Sequence, residues 1–254
     1  MKRSIVLGLT IFLSFSLFSQ NSTSLKPDYL SYGLLDGQTI VKFNLLGAAV
    51  RNYSFYAERI LSKRVSVLLS YNVMPKGGVP YIGQFTDDES AKSIRLGTFS
   101  FTPEVRFYLA SGYGGGFYIA PYYRYERFTL YQLSTTFTDD NDDERTIDVD
   151  GSLNTHSGGI LLGCQWLVGS KKNIVLDWSI LGVHGGKSSG DFTGITDETI
   201  SPEDQQTLKQ DIEDGLEDIP MIKSEVSVDE HSANIRIDGP WAFIRTSFSI
   251  GYRF

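Results

Sequence analysis

The most regular feature of the chain is an alternation of apolar and polar side chains, which is clearest between residues 98 and 109. One register of this segment holds apolar side chains, namely Phe99, Phe101, Pro103, Val105, Phe107 and Leu109. The other register holds mainly polar ones, namely Thr98, Ser100, Thr102, Glu104, Arg106 and Tyr108. Because successive side chains of a β-strand point to opposite faces, this period of two predicts a strand with one apolar and one polar face.

Eight segments are predicted as strands, because they are rich in Val, Ile, Phe, Tyr and Thr and are bounded by turn-forming residues. They are 39–48, 52–60, 64–73, 94–109, 115–131, 155–168, 172–184 and 241–254. The connections after the second, fourth and sixth strands are short, whereas those after the third, fifth and seventh span 74–93, 132–154 and 185–240. Short turns at one end and long loops at the other are typical of outer-membrane barrels. We therefore expect an all-β fold, an eight-stranded antiparallel transmembrane up-and-down β-barrel, with 185–240 as a long extracellular cap loop.

The apolar register is expected to face lipid. The interior of an eight-stranded barrel is only just wide enough for side chains, whereas the apolar register holds rings from nearly every strand and the opposite register is rich in Gly, Ser and Thr. Four aromatic residues near predicted strand ends are expected to form girdles at the membrane interfaces: Tyr53, Trp241, Tyr252 and Phe254.

The inward register contains equal numbers of basic and acidic side chains: Lys42, Glu58, Glu104, Arg106, Arg124, Glu126, Asp177 and Arg245. Buried charges are tolerated when they are paired and hydrogen-bonded. One interpretation is that these side chains plug the lumen as a salt-bridge network. The other is that half of them are solvated at the rims.

The first 20 residues have the pattern of a secretory signal peptide. Lys2 and Arg3 precede an apolar stretch from 5 to 18, and the small residue Ser19 marks a plausible cleavage point. A retained N-terminal anchor is the alternative, although the apolar stretch is shorter than the roughly 20 residues of a spanning helix. We expect residues 21–254 to form one exported domain in the outer membrane. Its sole cysteine, Cys164, cannot form an intramolecular disulfide.

The C-terminal strand ends on aromatic and apolar residues at two-residue steps, namely Phe248, Ile250, Tyr252 and Phe254. This ending resembles the signal that outer-membrane barrel assembly machinery recognises. Three longer stretches, "KFNLLGAAVRNYSFYAERILSKRVSV", "VLDWSILGVHGG" and "GPWAFIRTSFSIGYRF", resemble a Bacteroidota family of small outer-membrane barrels, domain of unknown function 3575. The resemblance implies the fold and the membrane location, but the family has no assigned activity.

Two of the long connections contain candidate features. In 185–240, Ser201, Pro202 and Asp204 fit the start of a helix, and "SEVSVDEHSANIRI" is predicted as an added hairpin. This cap either binds a partner or only protects the barrel mouth. The acidic run 139–144 is interpreted as a solvated loop, with a Ca²⁺ site as the alternative.

The sequence offers little support for catalysis. The three histidines are scattered, and only His184, near Ser188 and Ser189, is a candidate for a lipid-modifying enzyme. We expect no enzyme activity, no cofactor and no metal. The excess of 30 acidic over 23 basic residues argues against nucleic acid as a partner. The leading hypothesis is a monomeric structural or interaction barrel that meets membrane lipid, lipopolysaccharide and the assembly machinery. A narrow transporter for small or hydrophobic compounds is the alternative.

Overall fold

The computed structural model describes residues 37–79, 94–109, 112–138, 144–217 and 221–254. The expected signal peptide, residues 1–20, and residues 139–143 of the acidic run lie outside the described residues. The described part consists mainly of antiparallel β-strands, together with two short helices.

Nine strands and two helices follow one another along the described chain. They are β1 (Thr39–Asn44), α1 (Leu45–Ala49), β2 (Tyr53–Ile60), β3 (Val65–Gly78), β4 (Arg95–Tyr108), β5 (Gly116–Thr138), β6 (Glu144–Val168), β7 (Ile174–Ile195), α2 (Pro202–Glu217), β8 (Lys223–Val228) and β9 (Ser232–Arg253). Neither helix of this described part is long and apolar enough to cross a membrane.

Eight of the strands form a closed ring. Each strand from β1 to β7 pairs antiparallel with the next, β7 pairs with β9, and β9 returns to pair with β1. The ring closes between Ile40 and Arg253 at one end of β1 and between Asn44 and Ser249 at the other. The predicted all-β fold with eight antiparallel strands is confirmed.

The two ends of the ring differ in construction. We call the end with the connections 61–64, 109–115 and 169–173 the turn end, and the opposite end the loop end. At the turn end, Gly112 and Gly114 adopt positive φ angles of 74° and 80°, a backbone conformation that glycine adopts without steric cost. At the loop end, β5, β6, β7 and β9 continue beyond the shorter strands, and we call this part the extension.

The extension corrects two sequence predictions. The connection 132–154 is largely strand, because β5 continues to Thr138 and β6 begins at Glu144. The range 185–240 is likewise not a single loop. β7 continues to Ile195 and β9 begins at Ser232, and these two residues are paired. Only residues 196–231 connect the two strands.

The alternation changes phase inside the continuous strand β6. Near the turn end the outward Ile160 and Leu162 are about half exposed, at 52% and 48%, and the inward Gln165 is buried. In the extension the inward Ile147 is buried and the outward Asp150 is exposed. The apolar side chains therefore stand at even residue numbers near the turn end and at odd residue numbers in the extension. The predicted strand 155–168 begins close to this switch.

A bulge in β7 changes which side chains face inward. Ser179 is paired with Ser247, but the next pair joins Gly182 to Arg245, so β7 contains one residue more than β9 between these pairs. An extra residue shifts the following side chains to the other face. His184 consequently points into the ring, where it is buried.

Two local predictions in the connection to β9 are confirmed. Helix α2 begins after Ser201, whose Oγ accepts a hydrogen bond from the backbone N–H of Asp204 at 3.1 Å. β8 and β9 form the predicted hairpin, in which Val228 is paired with Ala233. In contrast, the first strand is shorter than predicted and ends at Asn44. The side chain of Asn44 accepts a hydrogen bond from Gly47 N at 3.1 Å and caps α1.

We expect Gly163→Ala to destabilise the ring. A Cβ on Gly163 would overlap the buried Tyr118 ring and lie 2.8 Å from the carbonyl oxygen of Trp178. Overpacking of this kind costs about 1–3 kcal/mol, measurable by guanidinium unfolding of the refolded protein in detergent.

Gly158→Ala is the matched control in the same strand, since the nearest atom to its added Cβ would be 3.9 Å away. Equal stability of the two variants would contradict the tight packing of Tyr118 against β6.

Candidate functional site in the ring interior

The structure places all eight of the predicted inward charges inside the ring. Seven of them are buried, and Arg245 is partly buried. Six belong to one connected group: Lys42, Glu58, Glu104, Arg106, Asp177 and Arg245. Arg124 and Glu126 form a separate pair nearer the loop end, with Arg124 Nη2 donating to Glu126 Oε1 at 2.5 Å.

Lys42 is bound by three acceptors from three other strands. Its Nζ donates to Glu58 Oε2 at 2.7 Å, to Asp177 Oδ2 at 2.6 Å and to Gln165 Oε1 at 2.8 Å. An ammonium group has three donor hydrogens. The hydrogen-bonding capacity of this buried cation is therefore used completely.

Arg106 is the second cation of the group. Its Nε donates to Glu104 Oε1 at 2.6 Å, and its Nη1 donates to Asp177 Oδ2 at 2.7 Å. The guanidinium carbon also lies 4.1 Å from the centroid of the Tyr118 ring. Asp177 therefore links the two buried cations, Lys42 and Arg106.

Neutral side chains complete the network. Glu58 Oε1 accepts from Ser66 Oγ and from Tyr108 Oη, both at 2.6 Å, and Tyr118 Oη donates to Asp177 Oδ1 at 2.8 Å. Gln165 Nε2 donates to the backbone oxygen of Gly114 at 2.7 Å, which ties the network to a turn. The network thus links β1 to β7 across the turn end of the ring.

Glycines on the inner face provide room for these large side chains. A Cβ on Gly251 would overlap the stem of Lys42, and one on Gly182 would lie 2.8 Å from Arg245 Cγ. The small residues of the inward register are therefore the partners of its large charged ones. The sequence contains these small and large residues on neighbouring strands, but the alternation within a single strand does not show that they are partners.

Toward the loop end, the interior is lined by rings. Tyr122 Oη and His184 Nδ1 are 2.9 Å apart, and the Arg245 guanidinium carbon lies 4.9 Å from the Tyr122 ring centroid. Trp241 stacks on Phe243 with ring centroids 6.1 Å apart. We call this group, Tyr122, His184, Trp241, Phe243 and Arg245, the loop-end cleft.

The prediction that Trp241 belongs to an outer girdle is wrong. It is paired with Gly186 across β7 and β9, and its ring contacts Phe128 at 5.5 Å. Phe128 and Trp241 come from strands on opposite sides of β6 and β7. The alternation of β9 already places Trp241 and Phe243 in the same register as the inward Arg245. The inward position of His184 was missed, because the β7 bulge gives no apolar or polar signal of its own.

The histidines have partners other than the serines considered for catalysis. His156 Nδ1 lies 2.6 Å from Tyr123 Oη, and His231 Nδ1 lies 3.1 Å from the backbone oxygen of Glu198. Ser188 Oγ donates to the backbone oxygen of Gly239 at 3.3 Å. Within the described ranges, no group of three or more His, Cys, Asp or Glu side chains is arranged to hold a metal ion.

The C-terminal residues lie on the outer face of β9. Ile250, Tyr252 and Phe254 are 42%, 46% and 40% exposed, and Phe248 is partly buried. The Tyr252 and Phe254 rings are in edge contact with centroids 5.0 Å apart. The strand therefore presents an aromatic outer edge next to the closure of the ring.

One protein family matches the chain. Its model, described as a protein of unknown function and designated DUF3575, covers residues 11–183, which is more than half of the chain. No curated protein and no solved structure matches the chain.

We expect Arg106→Ala, and likewise Glu104→Ala, to destabilise the ring strongly. Removing Arg106 leaves Glu104 and Asp177 without one of their cations in a buried position. The loss of one partner of a buried ion pair costs about 3–5 kcal/mol, measurable as a lower free energy of unfolding in detergent.

Arg236→Ala is the control, because Arg236 pairs with Asp191 at 3.0 Å on the exposed face of the extension. Its stability should equal that of the wild type within error, since exposed pairs contribute little. Wild-type stability of Arg106→Ala would mean that water, not the protein, solvates these charges.

Proposed function

Since this chain belongs to the family of proteins of unknown function DUF3575, we propose its function from its own geometry. The proposal is an exported bacterial outer-membrane protein whose ring spans the membrane as a small β-barrel with a plugged lumen. Its role is structural or interactive, and its extension meets the cell envelope or a partner outside the membrane.

The distribution of polarity on the two faces of the ring supports a membrane location. Near the turn end, most outward side chains are apolar, with Arg59 on β2 as an exception. The buried ionised and hydroxyl side chains lie inside, together with an apolar cluster of Ile40, Ile60 and Val175. A water-soluble barrel has the opposite arrangement, with its bulky apolar side chains inside. An outer face covered with apolar side chains is favourable only in apolar surroundings, and the charges inside are tolerated because they are paired.

The height of the apolar surface supports the same proposal. On β6 it extends from Val168 to the level of Gly158, where the phase of the alternation changes. Ten residue steps extend about 33 Å along a strand. At the tilt usual for membrane barrels, this corresponds to about 25 Å, which is the usual height of the lipid-facing band.

The reversed polarity of the extension supports its position outside lipid. Its outward face includes Asp150, Asp191 and Arg236, and its inward face includes Ile147. This arrangement is that of a β-structure in water. The proposal rests on one observation: the polarity of the two faces reverses at the same level on neighbouring strands. On β7 and β9 the apolar side chains change from the outer to the inner face at the level where they do so on β6.

The interior favours a closed lumen over an open pore. The network of Lys42, Glu58, Arg106 and Asp177 fills the turn end with side chains that bond to one another. A narrow transporter is a second candidate only through the wall of the ring, because no described strand pairs with residues 239–248 of β9 on the edge facing β1. A lipid-modifying enzyme has less support, because His184 is bonded to Tyr122 inside the ring.

We expect the protein to fractionate with the outer membrane and to migrate faster on gels when it is not heated, as folded membrane barrels do. The physical reason is that the apolar outer surface requires lipid or detergent. Membrane separation after expression with the native N-terminus, followed by unheated electrophoresis, measures both properties.

Recovery in the soluble periplasmic fraction would contradict the membrane location. Large and stable conductance in planar bilayers would contradict the plugged lumen while leaving the location intact. The two parts of the proposal can therefore fail separately.

We expect replacement of residues 196–231 by a two-residue Asn-Gly turn to leave a ring that still inserts. Ile195 and Ser232 are paired, so a tight hairpin can join them without altering the register. Normal heat-dependent migration of this variant is the expected result. The deletion keeps residues 185–195 and 232–240, because these two segments belong to β7 and β9.

Failure of this variant to insert would mean that α2 and β8 are needed for assembly. A matched control replaces the exposed helical residues Lys209 and Glu213 by alanine, which removes only a weak surface pair.

A further inference from the structure

In the described part of the chain, β1 and β9 close the ring over only a short stretch, and the wall between them is interrupted beyond it. β1 pairs with residues 249–253 of β9, and β8 pairs with residues 233–238. Among the described residues, no strand pairs with 239–248 on the edge that faces β1. Helix α1 contacts β9 on this side and borders the opening with the exposed Leu45 and Leu46.

Phe243 marks this opening. It is paired with His184, which is 6% exposed and faces inward, so Phe243 belongs to the inner face of β9. Yet Phe243 is 61% exposed, because no described strand covers it. Its outward neighbour Ile244 is 64% exposed. The opening therefore has an apolar rim, and Phe243 belongs both to this rim and to the loop-end cleft.

The cleft contains buried polar atoms without partners. Trp241 Nε1, Arg245 Nη1 and His184 Nε2 have no hydrogen-bond partner among the described residues. The acceptor Glu104 Oε2 beside Arg245 is likewise without a hydrogen bond there, at 3.8 Å from Arg245 Nη2. Indole and guanidinium nitrogens can only donate. Leaving such donors buried and unbonded costs free energy, so the cleft is suited to a ligand that supplies acceptor oxygens.

The surrounding charges indicate that this acceptor is neutral. Near the cleft, Arg245 Nη2 lies 3.8 Å from Glu104 Oε2, and Arg124 is paired with Glu126. The ion-paired side chains inside the described ring comprise four basic and four acidic ones. A carboxylate would add an unbalanced buried charge, whereas a carbonyl oxygen would not.

We propose that the loop-end cleft binds a small apolar molecule with a neutral carbonyl oxygen, which enters through the opening between β1 and β9. The apolar part packs on Phe243 and Trp241, and the oxygen accepts from the Trp241 and Arg245 donors. The route from lipid rests on the proposed membrane location, but the binding itself rests only on the ring.

The test uses the folded full-length mature protein in lipid nanodiscs and 2-decanone labelled with ¹³C at its carbonyl. Titration should shift the Trp241 indole N–H signal and the ligand carbonyl signal in a saturable manner. Undecane, which lacks an acceptor, and decanoate, which is charged, should each bind at least tenfold more weakly.

Trp241→Phe keeps an aromatic ring and removes the donor. The loss of one hydrogen bond should weaken 2-decanone binding up to about tenfold. Trp166→Phe, on the outer face of β6, is the matched control and should bind like the wild type. Unheated electrophoresis verifies that each variant is folded, so failure of insertion is distinguished from failure of binding.

A folded wild type without a saturable shift would overturn the proposal, because water would then satisfy the cleft. Equal binding of undecane or of the Trp241→Phe variant would show that the donors are not used. Tighter binding of decanoate would overturn the assignment of a neutral acceptor.

Discussion

The buried ion network around Asp177 is the interaction on which the rest of the structure depends. Asp177 accepts from both Lys42 and Arg106, and the two cations also bind Glu58 and Glu104. Charges removed from water are stable only when each is compensated. The network therefore holds together strands that are remote in sequence, since Lys42 and Asp177 are 135 residues apart. The backbone pairing closes the ring, and the network determines what the ring can contain.

The composition of both faces follows from this constraint. Large polar side chains inside a narrow ring require small neighbours, which explains why Gly163, Gly182 and Gly251 face Tyr118, Arg245 and Lys42. Because polar groups occupy much of the interior, most apolar side chains of the strands point outward, although Ile40, Ile60 and Leu161 are buried inside. In our proposal this outer face meets lipid, so one set of contacts accounts for both the closed lumen and the membrane location.

The two ends of the ring differ in how completely their interiors are filled and hydrogen-bonded. The turn end is filled and internally bonded, whereas the loop end has a long extension and, among the described residues, an interrupted wall and unbonded donors. Any exchange with surroundings or partners is therefore expected at the loop end. The family assignment leaves the activity open, and the asymmetry of the ring indicates that the activity should be sought at the loop end.

The sequence by itself determined the strand-rich fold, the inward register of the eight charges, and the start of α2 at Ser201. These properties depend on residue spacing, and spacing is a local quantity. The tertiary structure alone decided which charges meet, because ion pairs such as Lys42 with Asp177 join strands across the ring. It also decided the inward position of His184, which depends on one extra residue in β7, and the strand character of the extension. There the alternation of Ile147, Val149 and Leu153 is present in the sequence. The sequence does not show that this alternation continues the same strand, because its apolar side chains lie on the opposite face. Only the closed ring defines which face is inside and which is outside.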